Sequence, residues 1–261
     1  MCTVSWRISA GGFELFFNRD EQRKRPEAEV PKLWKSEGEG LCFFAPIDPQ
    51  GGGSWVFVNE LGLCAAILND YGPDTADVPD SRGSFRSRGR LLLDLAASTD
   101  SMDCVHRLQS LVTQDCYQPF IVLVLDAKGL CRIRRWNGTD LQVVERPCSP
   151  LLTTSSVNAA RVEQIRRDAF EQAVTDLAAP DSDGLQTFHR WHDARFPEAS
   201  VLMSRADART VSMTRVQFDA GRASMDYFRV TDATPPELEA PVSNEWLKAE
   251  DADVFKFSDR E

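Results

Sequence analysis

The chain has 261 residues, 42% hydrophobic and 27% charged, enough for one large core or two modest domains. Its formal net charge of −10 and pI ≈ 4.9 argue against nucleic acid or an anionic membrane as the main partner, and leave a small-molecule substrate open. Seven cysteines with no Cys-x-x-Cys pair argue against a disulfide framework and a structural zinc site, and suit a reducing cytosol. No basic segment leads into a long apolar stretch, and no apolar run approaches membrane-spanning length. The expectation is a soluble cytoplasmic chain with no integral membrane association and no bound metal or cofactor.

Cys2 follows Met1 directly. Removal of Met1, favoured by the small side chain behind it, would leave a thiol and an α-amine on one carbon. The amine, with an ordinary pKa of about 7.7–8.0, can take the thiol proton and leave a nucleophilic thiolate.

Thr3 to Ser9 alternates as a strand, Ala10-Gly11-Gly12 supplies a turn, and Phe13 to Asn18 returns. Gln22 to Pro31 is charged and proline-bearing, so a surface loop is expected. Leu41 to Ala45 reads as a strand, and Pro46 to Gly53 as turns. Ser54 to Asn59 and Leu63 to Asn69 form a second hairpin whose tight turn Asn59 serves. Tyr71 to Arg90 is polar and reads as a long loop. Two helices are expected at Leu91 to Ala97 and Ser101 to Thr113, the second capped by Ser98 or Asp100.

Strand character returns at Phe120 to Leu125, Leu130 to Trp136, Leu141 to Arg146 and Leu151 to Ser155, with a turn at Asn137-Gly138. Ala159 to Ala179 has helical apolar spacing, with Ser156 or Asn158 as its cap. Strands follow at Thr210 to Phe218 and Arg222 to Val230. Residues 1–232 read as a single domain and 233–261 as a tail packing on it or extending from it. Many strands with few helices point to α+β layers rather than parallel winding. Cys64, Cys104, Cys116 and Cys131 sit in or beside apolar runs and read as small buried hydrophobes.

Several motifs converge on one family. Met1-Cys2, Asn18-Arg19-Asp20-Glu21, Arg25-Pro26, Trp34, Ala45-Pro46, Asp48, Gly52-Gly53-Ser54-Trp55, Val58-Asn59 and Gly62 together resemble the NRDE family, also called the transport and Golgi organisation protein 2 family. The likeness returns at Ser204-Arg205-Ala206-Asp207 and Thr210-Val211-Ser212. Val58 to Asn69 is also similar to a segment of bile-salt hydrolases and penicillin V acylases that ends in an oxyanion-hole asparagine. Those enzymes are N-terminal nucleophile hydrolases, so the resemblance implies a four-layer αββα sandwich of antiparallel sheets.

Carried over by resemblance, Cys2 is the nucleophile, Arg19 the cation beside it, Asp20 the anchor of the α-amine and Asn69 the oxyanion donor. A fixed charge at Arg19 lowers a thiol pKa. An amide donor at an oxyanion contributes roughly 3 kcal/mol to the transition state. Arg19 and Asp20 are neighbours, and neighbours on a regular strand face opposite ways. Both reach Cys2 only if the strand ends or bulges there; otherwise one is structural. Asn18 is a secondary candidate. Thr154 stands where those hydrolases often carry a second asparagine, and Arg205 is either a further site cation or a surface arginine.

The likeness implies an amidohydrolase or acyltransferase working through an acyl-enzyme on a non-peptide amide or ester. The alternative from the same family is a non-catalytic haem, lipid or acyl-CoA binding and trafficking protein, with haem held by Cys2, His189 or His192. His189 and His192 form a His-x-x-His pair without a further ligand, and a structural role in a packed loop is the better reading. Gly51-Gly52-Gly53 lacks the Gly-Lys-Ser/Thr ending of a phosphate loop.

Overall fold

The structure is a computed structural model and describes residues 2–38, 40–72, 85–145, 147–245 and 255–256. β1 (Cys2–Ser9) and β2 (Gly12–Gln22) form the expected first hairpin, turning at Gly11 with φ +100°. Along β2 the side chains alternate with period two. Phe13, Leu15 and Phe17 join the large core with β4 (Cys42–Ile47), β5 (Val56–Asn59), β6 (Cys64–Asn69) and β7 (Phe120–Leu125). Phe16 turns the other way, into a second cluster with Phe170, Phe188 and Met213.

The described strands make two sheets. One has the order β10-β1-β2-β11-β12-β13, with β10 (Leu151–Thr154), β11 (Ala208–Asp219), β12 (Arg222–Arg229) and β13 (Val242–Glu245). The other has the order β14-β3-β4-β5-β6-β7-β8-β9, with β3 (Glu29–Lys35), β8 (Cys131–Trp136), β9 (Leu141–Val144) and β14 (Phe255–Lys256). Every pairing is antiparallel except β14 with β3. Helices α3 (Ala159–Ala173) and α4 (Ser182–His189) cover the first sheet; α1 (Arg88–Asp94) and α2 (Ser101–Gln114) pack on the second. The fold is α+β in four layers, helix–sheet–sheet–helix.

The differences from expectation have local causes. The loop expected over Gln22 to Pro31 yields to β3 from Glu29. Pro31 is tolerated because the β3–β4 register slips between Glu29 and Lys32, where no ladder bond is required of it. The helix expected to Ala179 ends at Ala173, where Val174 turns extended and buries itself beside α4. Asp181 caps α4, a helix the periodicity missed because it is only two turns long. Asp100 caps α2, whereas Asn158 precedes α3 in left-handed backbone with no side-chain cap bond. Most of the expected loop from Tyr71 lies outside the described residues, and α1 begins inside its end, at Arg88. Within the expected tail, β13 and β14 extend the two sheets. Cys64 and Cys104 are buried as expected, but Cys116 and Cys131 are only half-buried.

Candidate active site

Cys2 opens β1 and stands opposite Arg19 of β2 on one side and Thr154 of β10 on the other. Register partners share a sheet face, so these three side chains face the gap between the sheets. A cleft of ≈ 260 Å³ opens there, and Cys2, Arg19, Trp55, Asn69 and Arg88 are among its lining residues. Gly53 lets the wall close up: a Cβ there would come within 2.2 Å of the Gly89 carbonyl carbon, so only glycine admits the start of α1.

Burial pushes the Cys2 thiol pKa up. A hydrogen bond from the Asp20 backbone N–H and the charge of Arg19 pull it down, while the Asp20 carboxylate adds to the rise. The rise wins, so the thiol needs a base to become a nucleophile.

Arg19 is locked in place. Its Nη2 donates to Asp48 Oδ2 at 3.2 Å and Glu21 Oε2 at 3.3 Å, and its guanidinium lies 4.4 Å from the Trp55 ring centre. Arg25 Nη2 reaches Asp48 Oδ2 at 2.5 Å. Burial opposes the Asp48 charge, but the Arg25 hydrogen bond and the two guanidinium charges outweigh it and hold the carboxyl below its usual range.

Asp20 turns to the other face of the sheet. Its Oδ2 accepts from Arg166 Nη2 at 3.1 Å and its Oδ1 from Thr210 Oγ1 at 2.6 Å. The β2 strand runs on to Gln22, and the irregularity lies in the partner strand, between Thr210 and Ser212 of β11. Arg19 and Asp20 therefore divide, one facing the cleft and one the helix layer. Arg166 is fully buried on α3 and also donates to Thr3 Oγ1, Thr153 Oγ1 and the carbonyls of Ala199 and Ser200. It ties α3 to three strands behind Cys2.

Asn69 ends β6 on the far wall. Its Nδ2 donates to the Tyr71 hydroxyl at 3.1 Å, which leaves the second amide N–H for another acceptor. Burial raises the Tyr71 pKa against that hydrogen bond, with the neighbouring Cys2 charge adding to the rise. Thr154 Oγ1 is buried with no hydrogen-bond partner among the described residues.

The remaining candidates lie elsewhere. Asn18 faces the helix layer, where its Nδ2 donates to the carbonyls of His189 and Val201 and its Oδ1 meets His189 Nδ1. His189 Nε2 meets Ser5 Oγ at 2.8 Å, and His192 Nδ1 meets the Leu202 carbonyl at 2.9 Å. Burial, aided by Arg166, lowers the His189 pKa to about 3, so its ring is neutral. Among the described residues, no three His, Cys, Asp or Glu side chains gather as a metal site. Arg205 pairs with Asp207 away from the cleft. Asn59 serves its turn, accepting from the N–H groups of Leu61 and Leu63.

Residues 1–210, which include every residue of this cleft, match the Transport and Golgi organisation 2 family. The chain belongs to that family. A search of curated protein sequences gave no match. The fold is similar to that of a Caenorhabditis elegans N-acylethanolamine-hydrolyzing acid amidase ortholog, at TM-score 0.54 and 11% identity over 82% of this chain and 92% of that one. It is also similar to a mutant conjugated bile acid hydrolase from Clostridium perfringens, at TM-score 0.52 and 12% identity over 96% and 98% of the two chains. A penicillin V acylase from Agrobacterium tumefaciens matches at TM-score 0.50 and 11% identity over 87% and 83%. At these identities the likeness establishes the N-terminal nucleophile hydrolase fold that the family member adopts.

Sequence reasoning missed Arg166, Arg88 and Tyr71 in this family member, and saw Asp48 only as part of a motif. Arg166 had a signal: it lies four residues from both Val162 and Phe170, on the buried stripe of α3. Arg88 and Tyr71 had none, because they flank a polar stretch without periodicity.

Proposed function

We propose that the protein hydrolyses, or transfers the acyl group of, a non-peptide amide or ester through an N-terminal cysteine nucleophile. The observation that carries this reading is one cleft lined by Cys2, Arg19 and Asn69, with Thr154 the register partner of Cys2 on the side away from Arg19.

Removal of Met1 frees the Cys2 amine. That nitrogen takes the Sγ proton as Sγ attacks the carbonyl carbon, and the carbonyl electron pair moves to oxygen. The free Asn69 N–H and the unpartnered Thr154 hydroxyl donate to this oxyanion. Collapse breaks the bond to the leaving group, which takes the proton back from the Cys2 ammonium. A thioester remains. Water then gives a proton to the same amine and attacks the thioester; collapse releases the acid and regenerates the thiol. In the transfer variant an amine or alcohol replaces water.

Arg19 supports the thiolate while its own carboxylate partners keep it from wandering. Asp20 acts through its backbone N–H on Sγ, and its carboxylate, held by Arg166 and Thr210, fixes the strand from behind. The α-amine anchor that the resemblance assigns to Asp20 would require this carboxylate to reach round the strand edge.

A panel of N-acyl amides and esters of graded acyl length, assayed with wild type and Cys2→Ala, tests the proposal. Turnover that Cys2→Ala abolishes supports it; turnover that survives in Cys2→Ala counts against it.

A further inference from the structure

The carboxylates around the cleft are already matched. Glu21 and Asp48 are shared by Arg19 and Arg25, Asp20 by Arg166, and Arg86 pairs with Asp115. Arg88 is left over. Among the described residues it has no carboxylate within ion-pair distance, and its side chain makes a single hydrogen bond, from Nη1 to the Pro119 carbonyl at 2.9 Å. A guanidinium carries five N–H donors, so most of its capacity is unspent.

Arg88 is also partly withdrawn from water. Burial lowers its pKa, and the groups whose charges act on it are Tyr71, Cys2 and Glu21. It lines the same cleft as Cys2, Arg19 and Asn69. A partly desolvated, uncompensated cation has a standing cost that a bound anion removes. The net charge of −10 for the whole chain makes this local surplus stand out, and a cationic cleft in an acidic protein concentrates anions at that one place.

Resting on the acyl-transfer reading, we infer that the substrate carries an anionic oxyacid group, a carboxylate or a phosphate, and that Arg88 holds it beside Cys2. The planar guanidinium suits either group, since both offer two oxygens to its paired N–H donors. Arg88 is then the residue that selects charged over neutral substrates. A neutral substrate of the same shape leaves the guanidinium unpaired and is discriminated against for that reason.

The test pairs two activated esters: the mono-4-nitrophenyl ester of glutarate, which ends in a carboxylate, and its neutral methyl diester. The wild type should favour the charged ester by about tenfold or more in kcat/KM. Arg88→Gln should collapse that ratio, and Arg88→Lys should restore part of it. The ratio is internal to each protein, so partial misfolding cannot mimic its loss. A second arm uses calorimetry of glutarate and of phenyl phosphate with the Cys2→Ala protein, and with Cys2→Ala/Arg88→Gln. Saturable binding of either anion that needs Arg88 supports the inference even if neither ester is cleaved, and the tighter of the two identifies the group. Equal use of both esters, unchanged by Arg88→Gln, with no Arg88-dependent anion binding, overturns the inference and leaves the cysteine chemistry standing.

Discussion

Asp20 and Arg166 form a fully buried ion pair behind the strand that carries Cys2, at 3.1 Å and with side-chain exposures of 1% and 0%. The pair sits on the helix side of the sheet while the neighbouring Arg19 faces the cleft. One dipeptide of β2 therefore faces two layers, the cleft in front and the helices behind.

Breaking that pair should be costly. Arg166→Met leaves the Asp20 charge buried and uncompensated, and should lower stability by about 3–5 kcal/mol in urea unfolding. The double variant Asp20→Asn/Arg166→Met should recover part of the loss. A single variant as stable as wild type would remove the supporting role given to Arg166.

Thr154 offers opposite effects on stability and rate. Its hydroxyl is buried without a partner, so Thr154→Val should leave the fold as stable or gain about 1 kcal/mol. The same change should slow turnover at least about tenfold if the hydroxyl meets the oxyanion. Unaltered kinetics would restrict the oxyanion site to Asn69.

Asn69→Ala should reduce kcat by about 10²–10³ with little change in KM, the pattern of a contact made mainly in the transition state. Tyr71→Phe should have a smaller effect, since it frees an amide N–H without removing the donor. Steady-state kinetics on one cleaved ester separates the two.

The buried His189 makes stability depend on pH. Its folded pKa of about 3 lies below its ordinary value of 6.5. The unfolded chain therefore binds the proton first, and stability falls as pH drops through 6.5 towards about 3. The slope approaches roughly 1.4 kcal/mol per pH unit for one proton. Above about pH 5, before carboxylates titrate, His189→Gln should flatten this slope in urea titrations. An equal slope in the variant would assign the effect to another group.

The fold was legible where pattern and turn chemistry agreed. The first hairpin follows from period-two alternation around a glycine turn, and the second hairpin and the strands between Phe120 and Val230 follow largely from short apolar runs set off by turn residues. β3 was hidden because Pro31 and its charged neighbours read as a loop, and only the register slip reconciles proline with the ladder. The four layers came from resemblance, since alternation along β1 says that both faces are covered but not by what. At the site, Cys2, Arg19 and Asn69 were named by resemblance, and all three line one cleft. The division between Arg19 and Asp20 was foreseen as a question, and the answer needed to know where the bulge fell. Arg88 was invisible, because an unpaired cation can be recognised only once every carboxylate near it has been assigned.

The central claim is a thiol and a free amine on one carbon at residue 2. It is tested most directly by mass spectrometry of the N-terminal peptide after brief exposure of the purified protein to an activated ester. The account predicts a peptide that begins at Cys2 and carries the acyl group, on sulfur when the protein is quenched in acid and on the amine after the S-to-N shift that follows at neutral pH. A peptide that still begins at Met1, or a bare Cys2 with acylation elsewhere, would contradict it.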